Sequence, residues 1–363
     1  MILVGEAAIR LFRLAPITLT VFKPHPARMF ALAPERDQLF VGRDFTTRVI
    51  IGPDGFRVPA GAPGARAGGP RVLALGDSMT FGYGVEAEES WPEVLEVLLR
   101  KDDHPDVEVI NAGVVAYAPD QQLDQLRELL PRLRPDLVVL GLYPGNDLAE
   151  VMLHGSAPPM QVSPEGALLE MATESDLHPN PFGLWLSTHL RLYSYLRVKV
   201  YRALTVFGFI EKPVLYHPAY FADALGYTDA YEENWEVLEG LLEEMAAETR
   251  ASGARLLLAV IPMDVQVSKK YWPHFQDLGF TLAPVMLREA RPQSRLHRFA
   301  AGAGIRMRDL LPVFRAHTGE RLYFDHDPHL TPAGQALVAK TVLPEVLYFL
   351  QAREEENPPG FAE

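Results

Sequence analysis

The sequence predicts an α/β fold of three layers, helices on both faces of a central parallel sheet, with a small β-rich region ahead of it and a helical insert within it. Two observations carry this. Runs at 72–75, 136–141 and 255–262 have the near-continuous apolar character of strands buried on both faces, and 106–111 reads as a further strand. Stretches of helical periodicity separate them, and that strand-turn-helix rhythm is the signature of a doubly wound parallel sheet. The chain has 363 residues, 48% of them hydrophobic and 22% charged, enough to bury a sizeable core.

Residues 1–70 form the N-terminal extension. After an amphipathic start, 46–51 (T-T-R-V-I-I) reads as a strand, 52–55 as a turn and 56–58 as a returning strand, with the Pro/Gly-rich 59–70 as a linker. The α/β domain is expected over 71–351. Its first strand, 72–75, breaks onto Gly76, which lets the backbone turn sharply, and Ser78 follows on the turn. Ser90 with Glu93 three residues later has the spacing of a capping box, opening a helix with Trp91, Leu95 and Leu99 on one face. A second strand at 106–111 leads through N-A-G-V-V-A-Y-A-P to a helix from 120, and the third, 136–141, runs into L-Y-P-G-N-D.

The rhythm is interrupted over about 151–252. Leucines, tyrosines and arginines alternate in a helix-like pattern over 184–210, which suits either extra packing over the sheet or a cap whose apolar face meets a substrate. A helix at 229–251, a strand at 255–262, a helix around 287–301 and a short strand near 305–307 restore the pattern. Thr331 and Pro332 are suited to open a last helix carrying 333 to about 350, and 352–363 reads as a solvated tail.

Composition excludes several functions. The net charge of -13 and the lack of a Lys/Arg cluster with interleaved aromatics argue against nucleic acid as a partner. Without cysteine there is no disulfide framework, zinc-thiolate site or cysteine nucleophile. No apolar run is long enough for a membrane span. The first residues, M-I-L-V-G-E-A-A-I-R, are too short in their apolar part for a signal peptide. The expected location is therefore cytoplasmic as written, or extracytoplasmic if the true start lies upstream.

Four pieces fall just past a predicted strand or just before a helix: Gly-Asp-Ser at 76–78, N-A-G-V-V-A at 111–116, Gly-Asn-Asp at 145–147 and D-P-H at 327–329. Loops at the carboxyl ends of parallel strands converge, so residues about 250 positions apart can meet there. Ester hydrolysis by serine needs such a meeting of a hydroxyl, an imidazole, a carboxylate and oxyanion donors. Asp77 and Asp147 are expected to hold their loops by accepting backbone N–H groups. Asp325, His326, Asp327 and His329 together offer oxygen and nitrogen ligands for a metal, but neighbours on one short loop rarely point at one centre, so no metal is expected.

In these blocks and their order the sequence resembles the SGNH (GDSL-like) hydrolase superfamily, over roughly 71–148 and 254–345. The resemblance implies a flavodoxin-like sheet and a serine esterase that needs no cofactor and acts on small-molecule or carbohydrate esters. Carried over by block, Ser78 corresponds to the nucleophile, His329 to its general base and Asn146 to the side-chain oxyanion donor, with the Ser78 N–H and one N–H from the second block completing the hole. That last donor aligns best with Ala116, where relatives have glycine, and otherwise with Gly113. Met79 stands in place of the usual leucine, a volume-conserving change. The position three before the histidine, where many relatives carry the triad aspartate, is His326. Asp327, two before, or Asp325, four before, takes its place, and the resemblance favours Asp327 because other branches of the superfamily use Asp-x-His. Two other functions fit the same blocks: a polysaccharide O-acetyl esterase or acetyltransferase, and an inactive binding module of the same fold.

Overall fold

The computed structural model describes residues 2–11, 19–62, 68–156, 161–163, 166–169, 186, 190, 192–193, 196, 200 and 219–356. Its centre is a five-stranded parallel sheet. The chain first forms helix α1 (Ile2–Leu11) and the strands β1 (Phe22–His25), β2 (Met29–Leu32), β3 (Arg36–Val41) and β4 (Thr46–Ile51). β1 pairs antiparallel with β2, and β3 with β4. The sheet proper begins with β5 (Arg71–Gly76) and continues with β6 (Glu108–Asn111) and β7 (Leu137–Leu142). After a small hairpin of β8 (Gln161–Val162) and β9 (Leu168–Leu169), it is completed by β10 (Arg255–Val260) and β11 (Arg306–Asp309).

The spatial order is β6-β5-β7-β10-β11. The chain steps outward from β5 to β6 and then returns past β5 to β7, so the strand order reverses between β5 and β7. The crevice at that reversal, at the carboxyl ends of the strands, is where such sheets bind ligands.

Alternation along the strands makes two cores. Val72, Ala74, Val139, Leu257 and Ala259 face helices α3 (Trp91–Lys101) and α12 (Pro332–Glu356), meeting Trp91, Leu95, Val338 and Val342. Leu73, Leu75, Val138, Leu140 and Leu258 face the opposite layer. That layer includes α4 (Pro119–Leu133), α7 (Glu232–Ala251) and α10 (Arg291–Ala303), which contribute Leu126, Leu238 and Leu296. The shorter helices are α2 (Ser78–Phe81), α5 (Pro144–Ser156), α6 (Tyr220–Ala224), α8 (Asp264–Val267), α9 (Trp272–Asp277) and α11 (Leu311–Ala316). Among the described residues no helix is long and apolar enough to cross a membrane.

Several local expectations change. The main partner of β4 is β3, and the expected returning strand at 56–58 is reduced to one bridge between Ile51 and Arg57. Arg57, the residue of that bridge, places its guanidinium inside the protein. Ser90 and Glu93 do not form a capping box: the Ser90 hydroxyl donates to Ala87 O at 2.7 Å, and the Trp91 N–H is taken by Gln335 Oε1 of α12 at 2.9 Å. Thr331 does open the last helix, accepting the Gly334 N–H at 3.2 Å. That helix continues to Glu356, past the expected start of the tail. α7, within the expected insert, covers the sheet and is tied to α5 by Asn234 Nδ2 donating to Leu148 O at 2.8 Å. Most of the helix-like pattern at 184–210, and with it the choice between packing and cap, lies outside the described residues, as do 63–67 of the linker.

Candidate active site

The carboxyl edge of the sheet brings the four blocks together. Gly76 ends β5 with φ +150; a Cβ there would lie 2.3 Å from Thr80 Oγ1 and 2.8 Å from Gly141 O, so both conformation and space demand glycine. Asp77 caps α2 by accepting the Met79 N–H at 2.8 Å. Ser78 is thereby the first residue of a helix, where a backbone N–H has no intrahelical acceptor. Its side chain is almost buried, and Met79 behind it lies in the core.

Ser78 Oγ lies 2.8 Å from His329 Nε2, across 251 positions of sequence. His329 Nδ1 lies 2.5 Å from Asp327 Oδ1, and the same oxygen accepts the His329 backbone N–H at 3.0 Å. An ionised carboxylate only accepts, so Nδ1 carries the proton and Nε2 is left to accept from the serine hydroxyl. Burial pushes the Asp327 carboxyl up, but the charge of His329 and the two hydrogen bonds from it outweigh this and hold it below the usual carboxylate range. Asp325 turns the other way and pairs with Arg321 at 2.6 Å, while the His326 ring is 2.8 Å from Asp44. Asp325 and His326 therefore point away from the Asp327–His329 pair.

The other two blocks close the site. Gly113 packs so tightly on the α2 backbone that a Cβ would sit 2.2 Å from Phe81 N, and its N–H donates to Asn111 Oδ1 at 3.1 Å. Ala116 follows on the same turn with φ +64, a left-handed conformation that favours glycine. It packs with Tyr83 against the cluster that contains Phe81. Asn146 lies in the first turn of α5, close enough to Asp77, next to the serine, to favour its charged form. Asp147 Oδ2 accepts the Tyr143 N–H at 2.7 Å. Asp77 and Asp147 thus hold the loops as expected. Burial keeps the Asp77 carboxyl above its ordinary range, with the Met79 N–H, His329 and Asn146 opposing.

Two side chains at the site had no signal in the sequence. Tyr83 stacks on the His329 ring, with centroids 4.2 Å apart and planes 28° apart. Arg57, fully buried, donates to Phe81 O at 2.8 Å, to Gly82 O and to Val85 O at 2.5 Å, and so pins the turn that carries Tyr83. Both depend on contacts from elsewhere in the chain, which no motif or spacing reveals.

Residues 74–165 match the GDSL-like Lipase/Acylhydrolase family. Over these residues the chain is similar to that family. A curated relative, an arylesterase of Vibrio mimicus, is 38% identical over 72 residues, which are 20% of this chain and 36% of the relative. The chain thus matches about a third of that protein's length. Solved structures similar to this GDSL-like chain include TesA, 18% identical with a TM-score of 0.41, covering 77% of this chain and 99% of that one. They also include the esterase EstA from Pseudoalteromonas sp., 13% identical with a TM-score of 0.41, over 77% and 98%. An acetylxylan esterase from Geobacillus stearothermophilus is 13% identical with a TM-score of 0.39, over 78% and 96%.

Proposed function

We propose that this GDSL-like protein is a serine esterase hydrolysing carboxylic esters, with Ser78 as nucleophile, His329 as general base and Asp327 as the carboxylate that orients it. The observation that carries this reading is the continuous relay from Asp327 through His329 to Ser78, at 2.5 and 2.8 Å. Ser78 Oγ attacks the ester carbonyl as its proton passes to His329 Nε2. The tetrahedral oxyanion is held by the N–H groups of Ser78 and Ala116 and by the Asn146 amide. Ala116 is preferred to Gly113 because the Gly113 N–H is already given to Asn111. Collapse breaks the ester C–O bond, and His329 returns the proton to the leaving alcohol. Water, deprotonated by His329, then attacks the acyl-serine, releasing the acid and restoring the Ser78 hydroxyl.

An aryl ester is the first substrate to try, since the matched relative is an arylesterase. The test is hydrolysis of phenyl acetate and of p-nitrophenyl acetate, butyrate and octanoate by wild type and Ser78→Ala. The expected result is turnover by wild type that falls at least about 1000-fold in the variant. Wild-type turnover in Ser78→Ala overturns the assignment.

A further inference from the structure

The N-terminal extension reaches the site through the turn between β3 and β4, residues 42–45, closed by the Gly42 N–H donating to Phe45 O at 3.0 Å. Asp44 on that turn uses both carboxylate oxygens on one residue of the histidine loop. Its Oδ2 accepts the His326 backbone N–H at 2.6 Å, and its Oδ1 lies 2.8 Å from His326 Nδ1. Asp44 is well buried, at 14% side-chain exposure, and His326 is one residue before Asp327.

The same turn also holds the serine side of the site. Phe45 packs on Tyr83, with centroids 5.6 Å apart, and on Phe324, 5.3 Å apart. Just beyond it Thr47 Oγ1 donates to Val85 O at 2.8 Å, and the Arg48 N–H donates to Glu86 Oε1 at 3.0 Å. One short turn therefore touches the loop after Ser78 and the loop before His329, neither of which is near it in sequence. The histidine loop closes on itself at its base, where Tyr323 bridges Leu330 and the Phe324 N–H donates to His329 O at 3.1 Å. At its tip, Arg321 holds Asp325 at the surface and Asp44 holds His326 from the buried side.

We propose that Asp44 is a positioning residue for the esterase reaction: through its two-point grip on His326 it sets the height of the Asp327–His329 loop over Ser78, and the extension that carries it is a working part of the active site. This rests on the reading of Ser78, His329 and Asp327 given above. Removing the carboxylate leaves a backbone N–H and an imidazole nitrogen without their partner and frees the loop tip to move by a fraction of an ångström. Misplacement on the scale of 1 Å costs about 100-fold in rate. Substrate contacts are untouched, so the loss belongs in kcat.

The experiment compares wild type, Asp44→Ala, Asp44→Asn, His326→Ala and Ser78→Ala on p-nitrophenyl acetate, with the thermal midpoint of each as a control for folding. Asp44→Ala is expected to lose about 10- to 100-fold in kcat with KM within about twofold. Asp44→Asn keeps an acceptor for the His326 N–H and a donor for a neutral Nδ1, and is expected to recover to within about threefold of wild type at pH 8. His326→Ala loses only the ring contact and is expected to fall about three- to tenfold in kcat; it decides the matter if Asp44→Ala does not fold. The proposal is overturned if kcat stays within twofold in Asp44→Ala, or in His326→Ala where that variant must decide. It is also overturned if the loss appears in KM, or if the Asn variant is as poor as the Ala variant. Activity surviving in Ser78→Ala overturns the site assignment instead, so the two failures are distinguishable.

Discussion

The serine loop and the histidine loop meet at 2.8 Å, yet they are built by different means. Ser78 is placed by its neighbours in sequence: a buried strand, a glycine that turns at φ +150, and Asp77 capping the helix that follows. His329 sits on a loop whose tip is held by Arg321 and by Asp44, the latter 282 positions away from its partner His326. A short range of sequence suffices to place Ser78 because strand and cap act over a few residues. His329 draws on a second region of the chain, since a loop rarely satisfies and orders all its own backbone groups.

Substitutions on the two loops sharpen that contrast. Asp327→Asn replaces the carboxylate with an amide whose NH2 can face Nδ1 and select the wrong His329 tautomer, and kcat on p-nitrophenyl acetate is expected to fall about 1000- to 10000-fold; a fall under tenfold would mean that Asp327 does not orient His329. Asn146→Ala removes one oxyanion donor, and a loss of about 100- to 1000-fold in kcat with the fold intact is expected, read by steady-state kinetics alongside circular dichroism. Gly76→Ala tests the locally encoded side: the added Cβ clashes with Thr80 and Gly141, and denaturant titration should show a loss of about 2 kcal/mol or more. An unchanged midpoint would show that the turn relaxes without strain. Asp325→Ala is the smallest change, because its pair with Arg321 is half-exposed on both sides: less than about 1 kcal/mol of stability is expected to be lost. Its turnover should stay within twofold of wild type, and a triad-sized loss there would transfer the acidic role from Asp327 to Asp325.

The strands β5, β7 and β10 were legible because each is an apolar run between turn signals, and their parallel direction followed from the helices between them, while their order came from the structure. β1, β2 and β3 were not. R-D-Q-L-F-V and F-K-P-H lack the alternation of a half-buried strand, and they pair because the surrounding aromatic cluster covers them. The capping box at Ser90 misled for a related reason: the Ser90 hydroxyl turns back to donate to Ala87 O, and the distant Gln335 takes the Trp91 N–H at the start of the same helix. Asp325 and Asp327 were equally placed by spacing alone, and only the direction of the loop separates the one paired with Arg321 from the one bonded to His329.

By itself the sequence determined the parallel sheet, the turn that carries Ser78 and the four blocks destined for one edge, because burial periodicity, glycine conformation and helix capping act over a few residues. The tertiary structure alone decided which carboxylate faces His329, that Tyr83 covers its ring, that Arg57 pins the turn beneath it and that Asp44 grips its loop. Those are contacts between distant segments. Their partners are chosen by where packing brings each backbone, and no spacing along the chain records that choice.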